Sequence, residues 1–259
     1  MKKVAFLFLI YDIINLEELW NIFFTNVEKE KYTIYIHFKK NVALKYFEEY
    51  KLNNCIQTAY ADISLVCAQN ILLEAALKDK NNEHFIFLSN SCVPFKNFDF
   101  IYNKLDISKS YFNITPQEQC FPRCDCLLNR VEKKNIQKAS QWCILNRKHA
   151  EFLYCINYEN FQTIYAPDEI CYITTLFINN LQNELITTPN LPNNATTFTN
   201  WNDMDYAFPS THGLKNYTFI SEEEIQHLVN SKCFFGRKFM KDCIVSFSLS
   251  ISYLDQLKN

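Results

Sequence analysis

Glycine is almost absent: Gly213 and Gly236 are the only two in 259 residues. Walker loops and dinucleotide fingerprints need several glycines, because backbone must approach phosphate closely, so neither can be built here. Any phosphate must be held by side chains or by a helix N-terminus. Arginine is nearly as scarce. The 26 Lys and Arg include only Arg123, Arg130, Arg147 and Arg237. In a chain rich in Asn, Ile, Phe and Tyr, that excess of lysine reads as AT-rich coding bias, which makes the four arginines the cations to follow. Positive charge in surplus is missing too. With a net charge of −2 and no run of Lys and Arg, the chain offers no field for nucleic acid. No apolar stretch is long enough to cross a bilayer. The opening MKKVAFLFLIYDII has the look of a signal peptide, but its run is short, Asp12 interrupts it and no small-residue cleavage site follows. A buried first strand is expected instead, in a soluble, cytoplasmic protein of undetermined oligomeric state.

Hydrophobic residues make up 48% of the chain, enough for a sizeable core. The eleven cysteines are scattered through apparent strands and helices, as in Val66-Cys67-Ala68 and Trp142-Cys143-Ile144, which suits buried free thiols in a reducing compartment. One cluster stands out, CFPRCDC at 120–126. It offers Cys120, Cys124 and Cys126 but no fourth ligand at a zinc spacing, so no metal is expected. Sequons at Asn113, Asn194 and Asn216 arise by chance in so Asn-rich a chain.

Periodicity gives the first hundred residues an alternating order. Val4–Ile10 is an apolar run of strand length, Asn15 is placed to cap a helix reaching about Val27, and Tyr32–Phe38 is a second strand. A helix over 40–51, a short strand over Cys55–Gln57, and a helix carrying Leu65, Ala68, Leu72 and Ala75 follow. Phe85–Leu88 is a buried strand that breaks into the polar loop Ser89-Asn90-Ser91. The expected fold is therefore α/β, a doubly wound, mostly parallel sheet flanked by helices, in a single domain. Ligands in such sheets sit beyond the carboxyl ends of the strands, which points to His37, Ser89 and Asn90. Further on, a strand is expected near Gln141–Leu145, helices from Arg147, Pro167 and Ser221, and a final helix after CFFGRKF.

The segment YAPDEICYITTL at 165–176 sets Asp168 and Glu169 behind Pro167 at a helix mouth. Ordinary helix chemistry accounts for all three: proline is preset for the first turn, and acids meet the positive end of the dipole. A carboxylate so placed can also act as a general base. The chain's Asp-x-Asp, Asp203-Met204-Asp205, follows the acidic helix instead of closing a central strand, and reads as a solvated loop.

Four segments, in order, carry a resemblance: YADISLVCAQNILLEAALKD with FIFLSNSCVPFKNFDFIYNKL, then KASQWCILNRKHAEFL, PDEICYITTL and CFFGRKF. Together they resemble the core-2/I-branching N-acetylglucosaminyltransferases, glycosyltransferase family 14, most nearly the plant and microbial branch. The resemblance implies a GT-A-like fold and an inverting, metal-independent transfer of a sugar such as GlcNAc or xylose. The donor would be a UDP-sugar and the acceptor a glycan or glycoprotein hydroxyl. Residues 1–105 would hold the nucleotide-sugar, and residues 106–259 the acceptor and the catalytic group. Carried over residue by residue, Glu169 is the general base and Lys238 binds the diphosphate; Arg237 beside it is placed to add a bidentate contact. Gln141, Trp142, Asp168 and Trp201 are placed on the sugars, Asp168 either capping the helix or raising the pKa of Glu169 by like charge. Lys39 stands where animal members have an acid that touches uridine, and Lys215 is the candidate for their second basic contact. The same motifs would also suit a catalytically inactive member that binds glycan or nucleotide.

Overall fold

In the computed structural model, residues 2–202, 204–210, 213–245 and 257 are described. Strand β1 (Lys3–Ile10) shows how the sequence builds two layers. Val4, Phe6, Phe8 and Ile10 enter one apolar cluster, while Ala5, Leu7 and Leu9 enter another on the opposite face. That is the period-2 alternation of a strand, with both faces covered. Helix α1 (Glu17–Phe24) packs Trp20, Phe23 and Phe24 on the first face. Helix α2 (Ser64–Leu77) packs Val66, Ala68, Leu72 and Leu73 on the second.

Strands β2 (Tyr32–Phe38) and β3 (Asn82–Ser89) flank β1, both parallel to it. After β4 (Val93–Pro94) and helix α3 (Phe98–Lys104), β5 (Ser110–Ile114) joins the same sheet through β6 (Ile144–Asn146). The order is β2-β1-β3-β6-β5, completed by β7 (Leu185–Pro189). β6 runs antiparallel to both neighbours, and β5 pairs in parallel with β7. Helices α4 (Arg147–Tyr154) and α5 (Cys171–Ile178) cover the second face. The doubly wound, mostly parallel α/β sheet is as expected, in one domain.

Three local expectations fail for long-range reasons. The helix over 40–51 is an extended loop ending in a 3₁₀ turn, Glu48–Tyr50. Carboxylates take its backbone N–H groups: Glu48 binds Leu44 at 2.7 Å, and Glu17 binds Tyr46 at 2.7 Å. The segment 55–57 forms no strand; the β-bridge of this stretch to β2 is at Lys51–Ile36, and the Ile56 N–H reaches β2 through the His37 side chain. Asn15 caps nothing, since its amide donates to the Phe239 carbonyl at 2.7 Å and Leu16, at φ 50°, takes the cap position. The final helix expected after CFFGRKF falls on residues largely outside the described ones.

A second small sheet serves the site. Strand β8 (Thr197–Thr199) precedes β9 (Tyr217–Ile220) and α6 (Glu222–Asn230), which Ser221 caps as expected. Strand β10 (Phe235–Arg237) then lies antiparallel to β4 and parallel to β8. Strand β11 (Phe239–Val245) pairs with β9. Because β4 follows the end of β3 closely, this pairing delivers Arg237 to the carboxyl edge of the main sheet. Gly236 permits it. A Cβ there would stand 2.2 Å from the Phe95 ring, which is itself 1% exposed and has nowhere to move. Gly236→Ala should therefore destabilise the fold by about 1–3 kcal/mol, the usual range for overpacking. Urea unfolding measures it, and a wild-type midpoint would refute the contact.

Among the described residues, no helix is long and apolar enough to cross a membrane. The Asn113 sequon is buried inside the fold, its amide donating to Thr197 C=O and its oxygen accepting from Thr196 N–H.

Candidate active site

The Pro167 turn is a separate 3₁₀ turn, Pro167–Glu169, set before α5 rather than inside its first turn. Ala166 leads into it at φ 53°, held there by its N–H to Ala61 C=O at 3.0 Å. Neither carboxylate caps a helix through its side chain. Glu169 is one-third exposed and is gripped from elsewhere. Its carbonyl accepts from Ala139 N–H at 2.9 Å. Its Oε2 accepts from Arg123 Nη2 at 3.0 Å and lies 3.8 Å from Lys138 Nζ. Among the described residues no hydrogen bond reaches Oε1.

Arg123 comes from the cysteine-bearing loop. Cys120 and Cys124 are fully buried in the second core cluster and anchor that loop as small apolar groups. Burial pushes the Cys124 thiol up to about 12, so it stays protonated. Arg123 Nη1 also donates to Tyr165 C=O at 3.3 Å, tying the loop to the entry of the Pro167 turn. Arg123 and Lys138 are the partners that motif reading missed. The scarcity of arginine was the one signal that pointed at Arg123.

The Asp168 carboxyl is pushed up to about 7, first because it is buried and second because Glu169 is beside it. Its own backbone N–H, Arg123 and Arg237 oppose the rise. Its Oδ1 is closed to solvent and has no partner.

Across the same end of the sheet, the Arg237 guanidinium lies over the Trp142 ring, 4.7 Å from its centroid. Burial lowers the pKa of Arg237, with Cys92, Glu169 and Asp168 acting to raise it, and its Nε has no partner. Lys238 is half-buried and lowered by burial and then by Arg237. Among the described residues neither cation forms an ion pair. Trp142, expected on a sugar, has one ring face taken by Arg237 and is only 7% exposed. Trp201 keeps the freedom expected of it. It is 48% exposed, two residues past Thr199, which pairs with Arg237.

Other candidates are committed elsewhere. His37 is fully buried, accepts from Ile56 N–H at 2.9 Å, and burial drives its pKa down to about 4, so it is a neutral structural acceptor. Ser89 Oγ sits 3.1 Å from both Ser91 Oγ and Cys92 Sγ, holding the turn after β3. Asn90 is partly exposed at that turn, its carbonyl accepting from Asn15 N–H. Lys215 is neutralised by the buried Glu224 at 2.5 Å. Lys39 lies 5.6 Å from the centroid of the Tyr11 ring. Asp205 is not solvated: it is 2% exposed and accepts from Ala207 N–H, with His227 3.1 Å away. Asp203 lies outside the described residues.

The sequence pattern of the Core-2/I-Branching enzyme family matches residues 4–229, ending before the Arg237-Lys238 pair. A curated relative, the glycosyltransferase BC10 of Oryza sativa subsp. japonica, is 32% identical over 160 residues, covering 58% of this chain. The matched part spans 39% of that protein's length. Among solved structures, the galactosyltransferase LgtC in complex with donor and acceptor sugar analogs is similar at a TM-score of 0.46 and 8% identity. That alignment covers 98% of this chain and 96% of LgtC. With its doubly wound α/β sheet, the chain belongs to the core-2/I-branching enzyme family of glycosyltransferases.

Proposed function

We propose that this protein is an inverting, metal-independent glycosyltransferase that moves a sugar, GlcNAc, xylose or a relative, from a UDP-sugar to a hydroxyl of a glycan or glycoprotein. One observation carries the reading. A carboxylate with one free oxygen, Glu169, shares a sheet end with two partly buried cations, Arg237 and Lys238, that have no anionic partner among the described residues. Unpaired buried cations are costly, and an anion that pairs with them offsets the cost. The diphosphate is such an anion.

In this reading residues 1–105 shape the nucleotide-sugar half, and residues 106–259 supply the acceptor side and the base. Arg123 holds Oε2 of Glu169, and Oε1 takes the proton of the acceptor hydroxyl as its oxygen attacks the anomeric carbon. The bond from that carbon to the diphosphate oxygen breaks on the opposite face, and the leaving charge passes to Arg237 and Lys238. Trp201 serves as an exposed aromatic face for a sugar ring. Free thiols buried in the core, as at Cys92, Cys143 and Cys171, support a reducing, cytoplasmic setting.

The clamp of Arg123 and Lys138 on Glu169 favours a second reading, a binding module whose base is tied up. Nucleotide release from a panel of UDP-, GDP- and CMP-sugars, with and without EDTA, separates the two. Release from a UDP-sugar that EDTA leaves unchanged is expected. Binding of UDP without release from any donor would support the module, and loss of release in EDTA would refute the metal-free mechanism.

A further inference from the structure

The cleft beside Glu169 is lined by Ser140, Gln141, Asp168 and Glu169, with Phe112 and Tyr172 among its apolar walls. Two polar atoms of that lining, Gln141 Nε2 and Asp168 Oδ1, are shut from bulk solvent and have no partner among the described residues. Each such orphan is destabilising, and native folds contain few, so two on one small cleft call for an explanation. They are opposite in kind. An amide N–H can only donate, and the Asp168 oxygen accepts whenever the acid is ionised, as it is above about pH 7. A hydroxyl satisfies both at once, its oxygen accepting from Gln141 and its hydrogen donating to Asp168. The cleft has room for about one water-sized group, which is the size of a hydroxyl.

Position says whose hydroxyl it is. Gln141 adjoins Trp142, whose ring carries the Arg237 guanidinium. Asp168 adjoins Glu169 and feels the charges of both Glu169 and Arg237. The pair therefore lies between the cations assigned to the diphosphate and the carboxylate assigned to the acceptor. In a transfer of this kind the sugar being moved occupies that interval. Gln141 is also well placed to hold its geometry: its carbonyl accepts from the buried Gln69 amide at 3.4 Å, and Ser140 N–H donates to Asn113 C=O at 2.8 Å.

We propose that Gln141 and Asp168 form a subsite for one hydroxyl of the transferred sugar, selecting among donors by whether that hydroxyl is present. This rests on the glycosyltransferase reading above. A site built to bond a hydroxyl discriminates strongly against an analogue without it, because both buried partners then stay unpaired.

Calorimetric affinities for UDP, UDP-N-acetylglucosamine, UDP-glucose and UDP-xylose test the subsite without any acceptor, in wild type, Gln141→Leu and Asp168→Asn. Wild type should bind at least one of these sugars more tightly than UDP. Gln141→Leu should lose about tenfold or more of that advantage while binding UDP as before. Asp168→Asn, which keeps the shape, serves as the second variant if the leucine protein melts early. A single-deoxy form of the preferred donor that wild type rejects should bind wild type and Gln141→Leu alike, as coupled partners require. If both variants keep the full sugar advantage with UDP binding intact, the cleft holds only a water and the subsite is refuted. If wild type fails to bind UDP, the glycosyltransferase reading falls first and takes the subsite with it.

Discussion

Glu169→Gln should lower transfer about 10²–10⁴-fold, the usual loss when a general base is removed, while UDP affinity and folding survive. Glutamine keeps an oxygen for Arg123 Nη2, so the turn should stay in place. Asp168 is the rival, because an acid with a pKa of about 7 is well matched to base catalysis. Hydrogen bonding decides between them: Arg123 orients Glu169 through Oε2 and leaves Oε1 without a hydrogen bond among the described residues, whereas Asp168 Oδ1 is assigned to a hydroxyl of the transferred sugar. The two roles separate by pH as well as by mutation. Native Asp168 holds a proton up to about pH 7 that the unfolded chain releases near its ordinary value of 3.8. Its contribution to stability is thus full below about pH 4 and lost as pH rises through 7. Asp168→Asn removes that dependence and should gain most over wild type in melting temperature above pH 7, while keeping transfer within the loss caused by weaker sugar binding. Transfer rates and melting curves at pH 5 and 8 for both variants check this. A dead Asp168→Asn beside an active Glu169→Gln would move the base by one residue.

Local signals made the core of the fold readable. Strands β1, β2 and β3 are apolar runs of strand length, and the alternation of Phe6 and Phe8 with Leu7 and Leu9 assigns the two layers directly. What misled was always a distant partner. Segment 40–51 contains good helix formers, yet Glu17, some thirty residues away, takes the N–H of Tyr46 and of Phe47. Asn15 is a sound cap residue, and the Phe239 carbonyl claims its amide from 224 positions downstream. The same holds at the site. The motif order located Glu169, Gln141, Trp142 and Arg237, which the fold does bring to one end of the sheet. Nothing local could pair Glu169 with Arg123, 46 residues earlier in a loop of cysteines. Nor could it show that Trp142 would face a guanidinium, or that burial would fall on Asp168 rather than its neighbour. His37 does lie near a strand end, and nothing local showed that its Nε2 would accept from the Ile56 N–H.

Replacing Arg237 by methionine should separate stability from function in opposite directions. The partly buried guanidinium is held by Cys92 and by the Trp142 ring, worth about 0.5–2 kcal/mol for a cation over an aromatic face, and its Nε has no partner among the described residues. Replacing a buried ion pair by apolar groups of similar volume is often neutral or stabilising, and a desolvated cation with no ion-pair partner gives up still less. Arg237→Met should therefore melt at or above the wild-type temperature in the absence of nucleotide. UDP binding should fall about 10²-fold or more, since two charge-assisted bonds at about 1.5–3 kcal/mol each are lost. Lys238→Ala should show a smaller fall, about tenfold, because its ammonium is a point charge beside the stronger fork. Without the Arg237 charge, which opposes the rise at Asp168, the pKa of that acid should climb further, steepening the loss of stability as pH rises. Melting temperature with and without UDP, measured for both variants and without added metal, reads all of these terms. If Arg237→Met is destabilised yet shows the full UDP-induced shift, Arg237 is a structural residue stacked on Trp142 and the diphosphate is bound elsewhere.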